Sequence, residues 1–195
     1  MELCRRLDLG GLTPALAEME ASRHALPIPL HVLIRPRAGD FVYTDGELAE
    51  MVDAIAAARE LGADGVVLGA LTPGRTVDEL AMRQLLRAAH ALSVTFHRAF
   101  DEVADQAVAL ATLIEMGVER ILTSGGMPTA LAGADRLRTL VEAAGDRLTV
   151  MAGGSVRPAN VAELVRRSGV REVHARMDDE PGRAGELKRQ IGLGR

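Results

Sequence analysis

The stretch Leu30-His31-Val32-Leu33-Ile34-Arg35-Pro36-Arg37 carries the clearest structural signal in this chain. Its leucine, valine and isoleucine side chains fall on both faces of an extended segment, which is typical of a parallel strand covered on two sides. The run stops at Pro36, and a polar loop with a second arginine leads on to Tyr43. Two guanidinium groups at the exit of a buried strand are costly unless they meet an anion or a carboxylate. The stretch therefore predicts the wall and the rim of a site.

A similar strand followed by polar residues recurs at 94–101, and strands alternate with helices along the whole chain. Seven strands in this rhythm predict an α/β fold with a parallel sheet wrapped by helices. Both a TIM-type (β/α) barrel and a doubly wound open sheet fit the rhythm. Polar residues after nearly every strand favour the barrel, because a doubly wound sheet should carry them only near its switch point.

Capping signals predict where several helices begin. Thr44 with Glu47, and Thr76 with Glu79, have the spacing of capping boxes, in which each side chain satisfies a backbone donor of the other residue. Further helices are predicted over 103–116 and 129–144. Residues 1–177 are predicted to form one barrel domain, and 178–195 a polar tail that is a short helix or disordered.

Composition excludes several classes of function. The chain has 195 residues, a net charge of −4 and 2% aromatic residues, so neither phosphate-backbone binding nor base stacking is expected. No apolar run of membrane-spanning length is visible, so no membrane partner is predicted. A single cysteine, Cys4, suits the reducing cytoplasm. Neither a Walker loop nor a dinucleotide fingerprint is visible, so no nucleotide or organic cofactor is predicted.

Several long motifs resemble the CutC family. They are Glu2-Leu3-Cys4, 10–14, 31–37, 39–43, 95–101, 122–125 and 153–156. The resemblance implies a TIM-type barrel, a cytoplasmic location, a reported role in copper handling and the possibility of a homodimer. It also implies that the first strand–helix unit of the family is missing here, and with it one of two cysteines proposed to bind copper. Seven strands would then leave a cleft between the first and the last, or a gap covered by another chain.

Soft donors are the candidates for a copper site, because copper(I) prefers thiolate, thioether and imidazole ligands. The predicted metal ligands are Cys4, His31 and His97, with Met151, Met177 and His174 as further candidates. No two of them form a close metal-type pair such as C-x-x-C or H-x-x-x-H, so a site must be assembled across strands. The structural alternative for Cys4 is a small buried hydrophobic residue.

Residues at strand exits are the candidates for an enzyme site, since catalysis in such barrels takes place there. His97 with Glu2 or Asp101 could transfer protons near neutral pH. A small anion could bind to arginines and to backbone amides of glycine-rich turns. The predicted anion-binding residues are Arg35, Arg37, Ser124, Gly125, Gly153 and Gly154. These assignments have structural alternatives. His97 could be satisfied by internal hydrogen bonds, Arg35 and Arg37 could pair with Asp40 and Asp45, and the glycines could only turn the chain.

Two functions are therefore predicted. The first is a cytosolic CutC-like protein that takes part in copper homeostasis by binding the ion. The alternative is a TIM-barrel enzyme that acts on a small anionic metabolite, phosphorylated or not, at the carboxyl-terminal mouth of the barrel. A third possibility is that the chain is inert.

Overall fold

A computed structural model describes residues 1–176 and 183–190. Its strands are β1 (Glu2–Leu3), β2 (His31–Leu33), β3 (Gly65–Leu68), β4 (Ser93–Phe96), β5 (Arg120–Thr123), β6 (Thr149–Gly153) and β7 (Glu172–His174). Its α-helices are α1 (Leu16–Ala25), α2 (Asp45–Glu60), α3 (Glu79–Ala88), α4 (Gln106–Glu115), α5 (Ala134–Ala144), α6 (Pro158–Ser168) and α7 (Arg183–Gln190). Two short 3₁₀ helices lie at Leu7–Leu9 and Arg98–Asp101.

The seven strands form one parallel sheet in sequential order from β1 to β7. A doubly wound sheet would reverse its strand order at a switch point, so the order confirms the TIM-type arrangement. Within the described ranges, β1 and β7 are not hydrogen-bonded to each other, and the sheet is a curled, incomplete barrel. Across that opening, Glu2 Oε2 lies 3.3 Å from Nδ1 of His174.

The two faces of the sheet differ in chemistry. Val32 and Ile34 join the main apolar core together with Met51 and Ile55 of α2. Side chains at the intervening positions, such as Leu33, point to the other face because strand residues alternate. That second face lines the interior of the barrel, and it carries most of the polar strand residues discussed below.

Two predicted helix starts illustrate how capping decides boundaries. The Thr44–Glu47 capping box is confirmed at the start of α2. The prediction of a Thr76–Glu79 capping box is wrong. Helix α3 begins at Glu79, and Asp78 caps it by accepting a hydrogen bond from the amide of Ala81. Thr76 instead shares a 2.8 Å hydroxyl hydrogen bond with Thr72.

Helices α4 and α5 begin later than predicted, at Gln106 and Ala134. Asp105 caps α4, so the residues before it form loop and 3₁₀ structure. Residues 129–133 are held as a loop, where the Ala130 amide donates to the carbonyl of Gly154.

The last described helix, α7, falls within the predicted polar tail, and its Leu187 is buried against the core. The remaining predictions for the tail, and that of Met177 as a ligand, lie outside the described residues. No helix in the described part of the chain combines the length and apolar character needed to cross a membrane.

Candidate functional site at the mouth of the barrel

The predicted site residues follow different strands but share one end of the sheet. Arg35 lies just after β2, His97 just after β4 and Ser124 just after β5. Because all strand pairs are parallel, their carboxyl ends meet at the same mouth. The interpretation that His97 and Arg35 lie at one end of the barrel is therefore confirmed.

The inner face of β3 makes room for two histidine rings. A Cβ added to Gly65 would lie 2.5 Å from Nδ1 of His31, and one added to Gly69 would lie 2.8 Å from Nδ1 of His97. The imidazoles of the flanking strands thus occupy the space that side chains on β3 would fill. This explains why residues 65 and 69, which flank the inward-facing Val67, are both glycine.

His97 is a buried, neutral hydrogen-bond donor. Only 5% of the residue is exposed, and its ring packs 4.7 Å from the ring of Phe41, centroid to centroid. Nδ1 accepts a hydrogen bond from the Ala99 amide, so the proton of the neutral ring is on Nε2. Burial, with a smaller contribution from the nearby Arg35 charge, lowers the pKa of His97 to about 3. The imidazole is therefore uncharged at neutral pH.

Arg35 is a buried cation held by the main chain. Its Nη1 donates to the carbonyls of Leu9 and Gly11, and its Nη2 to the carbonyl of Gly39. The residue is only 8% exposed, so water cannot readily reach Nε, and this nitrogen has no acceptor in the protein. Within 1–176 and 183–190, no carboxylate lies within ion-pair distance of Arg35.

Tyr43 completes what we call the mouth cluster, namely Arg35, Tyr43 and His97. Burial raises the pKa of the Tyr43 phenol to about 12, against a smaller lowering by the nearby Arg35 and Arg37 charges. The hydroxyl therefore keeps its proton, and it has no hydrogen-bond partner of ordinary geometry in the protein. The Phe41 ring lies next to two members of the cluster, since it also contacts Arg35, whose guanidinium carbon is 4.9 Å from the ring centroid.

Arg37 has a different role from Arg35. Its Nε donates to Glu47 at 2.5 Å, and its Nη2 donates to Asp40 at 2.9 Å and to the Val42 carbonyl at 2.6 Å. Nη1 donates to two further carbonyls of the same loop. Arg37 thus fixes the loop that carries Phe41 and Tyr43, and every nitrogen of its guanidinium already has an acceptor.

The carboxylate of Asp101 fastens the loop after β5. It accepts from the Thr123 hydroxyl at 2.5 Å, from the amides of Ser124 and Gly126, and from Arg98 Nε at 2.8 Å. Asp101 therefore has a structural role, because its carboxylate holds the loop after β5 in place. No hydrogen bond in the described ranges joins Asp101 or Glu2 to His97, so the predicted proton-transfer pairs are not brought together.

The predicted glycines pack closely against their surroundings. A Cβ at Gly153 would lie 2.5 Å from Leu122, one at Gly125 would lie 3.0 Å from the Gly133 carbonyl, and one at Gly154 would lie 3.3 Å from Ser124. Gly154 also has a φ of 110°, which only glycine adopts readily. These positions need glycine for packing, and their role in anion binding stays a prediction.

Cys4 lies half-buried at the carboxyl end of β1, close to the opening between β1 and β7. Burial and the nearby Glu2 raise the pKa of its thiol, while Arg176 lowers it. Glu2 is itself largely buried, which raises the pKa of its carboxyl despite the proximity of His174. Among the described residues, no three His, Cys, Asp or Glu side chains are grouped so that they could hold a metal ion.

His31 lies deeper in the barrel than the mouth cluster. The positive charge of Arg120 and burial both lower the pKa of its imidazole, burial having the larger effect. Arg120 donates to Glu172 of β7 through Nε at 2.5 Å and through Nη2 at 3.2 Å. This ion pair was not expected from the sequence, and it places a cation near the predicted ligand His31.

Comparison with known proteins decides the family. The model of the CutC family matches residues 1–178. The chain belongs to the CutC family. A CutC family protein of Caulobacter vibrioides is 49% identical over 174 residues, which are 89% of this chain and 71% of that relative.

Solved structures agree with this membership. A CutC protein of Streptococcus agalactiae, to which a role in copper homeostasis is attributed, has a TM-score of 0.85 and 37% identity. The match covers 89% of this chain and 86% of that chain. The aldolase QR15 has a TM-score of 0.64 at 16% identity, covering 81% of this chain and 73% of its own, and shows a shared fold alone.

Sequence reasoning missed one member of the mouth cluster in this CutC-family chain. Tyr43 stood out as the only tyrosine, yet nothing in the sequence assigned a role to its hydroxyl. The signal that could have found it is its position three residues after the glycine-aspartate pair that follows Arg37, in the same short loop. A lone phenol in a loop that follows two arginines is a candidate donor at a strand exit.

Proposed function

We propose that this CutC-family chain takes part in copper homeostasis in the cytoplasm, with copper(I) as its cargo and Cys4 as the anchoring ligand. The observation that carries the proposal is the position of Cys4, whose thiol lies half-buried at the mouth end of β1. Thiolate is the ligand type that copper(I) favours. The role attributed to the Streptococcus agalactiae CutC protein supports the same function.

The other predicted ligands contribute less to such a site. His97 carries its proton on Nε2 while Nδ1 accepts from Ala99, so neither nitrogen offers a free lone pair. His31 lies close to the charge of Arg120, which disfavours a second cation beside it. Copper(I) bound here would therefore depend on Cys4, and the described side chains do not form a three-ligand group around it.

The Cys4→Ser variant tests the proposal most directly. We expect the wild-type chain to bind one copper(I) with submicromolar affinity in competition with a chromophoric copper(I) chelator, and the variant to lose that binding. Cys4 is the only cysteine, so no other thiol can substitute for it. Met82→Leu is the matched control, because it removes a buried sulfur from α3 and should leave the titration unchanged. Equal binding by Cys4→Ser and wild type would rule out Cys4 as the ligand.

Copper binding should strengthen as pH rises. Burial raises the pKa of the Cys4 thiol, so the group is protonated at neutral pH and must release its proton to bind the ion. Below that pKa, each unit of pH should strengthen the apparent affinity about tenfold. Titrations at pH 6, 7 and 8 measure this slope. An affinity that stays constant over this range would show that a thiolate is not formed on binding.

The catalytic alternative finds less support than ligand binding does. Proton transfer needs a group whose pKa lies near the working pH, whereas the pKa of His97 is lowered to about 3. No hydrogen bond in 1–176 or 183–190 connects His97 to a carboxylate. The mouth cluster is better suited to hold an anion than to move a proton.

A further inference from the structure

The described residues contain three buried side-chain atoms without a hydrogen-bond partner, and all three belong to the mouth cluster. They are Arg35 Nε, the Tyr43 hydroxyl and His97 Nε2. Buried polar groups in folded proteins are nearly always paired, so each exception needs an explanation. Arg35 and His97 both contact the Phe41 ring, and the Arg35 charge acts on both Tyr43 and His97, which indicates one shared cause rather than three separate defects.

All three groups can donate a hydrogen bond. Arg35 Nε always carries a proton, and His97 Nε2 carries one because Nδ1 is the acceptor in its bond with Ala99. The Tyr43 hydroxyl keeps its proton because its pKa is raised to about 12. A ligand that satisfies this set must present acceptors, and it needs no donor of its own.

The positive charge of the mouth cluster indicates that its ligand is an anion. The Arg35 guanidinium is more than nine-tenths buried, and its bonds go to three main-chain carbonyls rather than to a carboxylate. A buried charge without a counter-charge is strongly destabilising unless something compensates it. Neither His97, which is neutral, nor Tyr43, which is a protonated phenol, supplies a negative charge.

We propose that the mouth cluster binds the carboxylate of a small organic acid. The carboxylate accepts from Arg35 Nε, from the Tyr43 hydroxyl and from His97 Nε2, and it neutralises the one charge of Arg35. A carboxylate balances this single charge, whereas a phosphate dianion would leave a negative charge buried beside it. The site uses neither Cys4 nor the interior opening, so it is independent of the copper proposal.

The Tyr43→Phe variant tests this site without disturbing the fold. The hydroxyl lies near Arg35 but makes no hydrogen bond of ordinary geometry in the protein, so its removal should leave the urea midpoint of the free protein nearly unchanged. Binding of acetate, followed by the shift of the His97 Nε2–H signal in ¹⁵N-histidine NMR spectra, should weaken roughly tenfold in the variant. Acetamide, which lacks the charge, should produce no such shift.

Three results would overturn the proposal. They are no response of the His97 signal to acetate, equal acetate affinity in wild type and Tyr43→Phe, and a response to inorganic phosphate but not to acetate. The Cys4→Ser variant should bind acetate like wild type. Loss of copper binding with retained acetate binding, or the reverse, therefore separates the failure of one proposal from that of the other.

Discussion

Replacing Gly65 by alanine should destabilise the chain by about 3 kcal/mol. The new Cβ would lie 2.5 Å from Nδ1 of His31 and 2.7 Å from the backbone oxygen of Ser93. The first contact could be relieved by moving an imidazole, but the second involves the main chain of the neighbouring strand. Since β3 is hydrogen-bonded on both sides, to β2 and to β4, neither partner can move without disturbing the sheet.

Urea unfolding followed by circular dichroism measures this effect, and Gly46→Ala is the matched control. Gly46 lies in the first turn of α2, where an added Cβ would meet nothing closer than 4.0 Å. Alanine is the better helix former, so this second variant should be more stable by about 0.5–1 kcal/mol. We therefore expect Gly65→Ala to lower the free energy of unfolding and Gly46→Ala to raise it. A Gly65→Ala protein as stable as wild type would mean that the His31 ring does not lie over β3.

Asp101→Asn should cost about 2–4 kcal/mol, because it removes a largely buried charge that several donors share. The carboxylate accepts from Thr123, Ser124, Gly126 and Arg98, and asparagine offers one acceptor oxygen in place of two. Its amide group would face donors that it cannot satisfy. The loop after β5 should loosen, and the amides of 124–126 should exchange their hydrogens faster.

Asp105→Asn is the control for this prediction. Asp105 caps α4 by accepting from the amides of Ala107 and Val108, and asparagine caps helices about as well as aspartate. Its free energy of unfolding should stay within about 0.5 kcal/mol of wild type. A similar small loss in both variants would show that Asp101 is no more than a loop residue, and it would refute the anchoring role.

The fold was predictable because its signals are local. Strands such as 30–34 are apolar on both faces, and Thr44 with Glu47 marks a helix start that needs no tertiary information. The start of α3 was predicted wrongly because two candidate caps stand close together, and an antiparallel bridge between Leu71 and Val77 engages the chain before the first of them can act. Contacts with the neighbouring structure, rather than local propensity, therefore make Asp78 the N-cap of α3.

The site was only partly predictable, because partners are chosen in three dimensions. Arg35 and Arg37 look alike in the sequence, yet one bonds to carbonyls around the mouth while the other meets Glu47 and Asp40. Asp101 was predicted as a catalytic partner for His97, but the path of the loop after β5 brings its donors to the carboxylate first. Spacing along the chain does not contain that information.

The burial of the His97 ring beside Arg35 has a consequence for how ligand recognition responds to acidity. Histidine usually gains a proton a little below neutrality, but here the ring would do so only near pH 3. The hydrogen-bonding pattern of the mouth is therefore the same in a mildly acidic cell as in an alkaline one. Any change in occupancy between pH 5 and pH 8 would reflect the ionisation of the bound acid and not that of His97 or Tyr43.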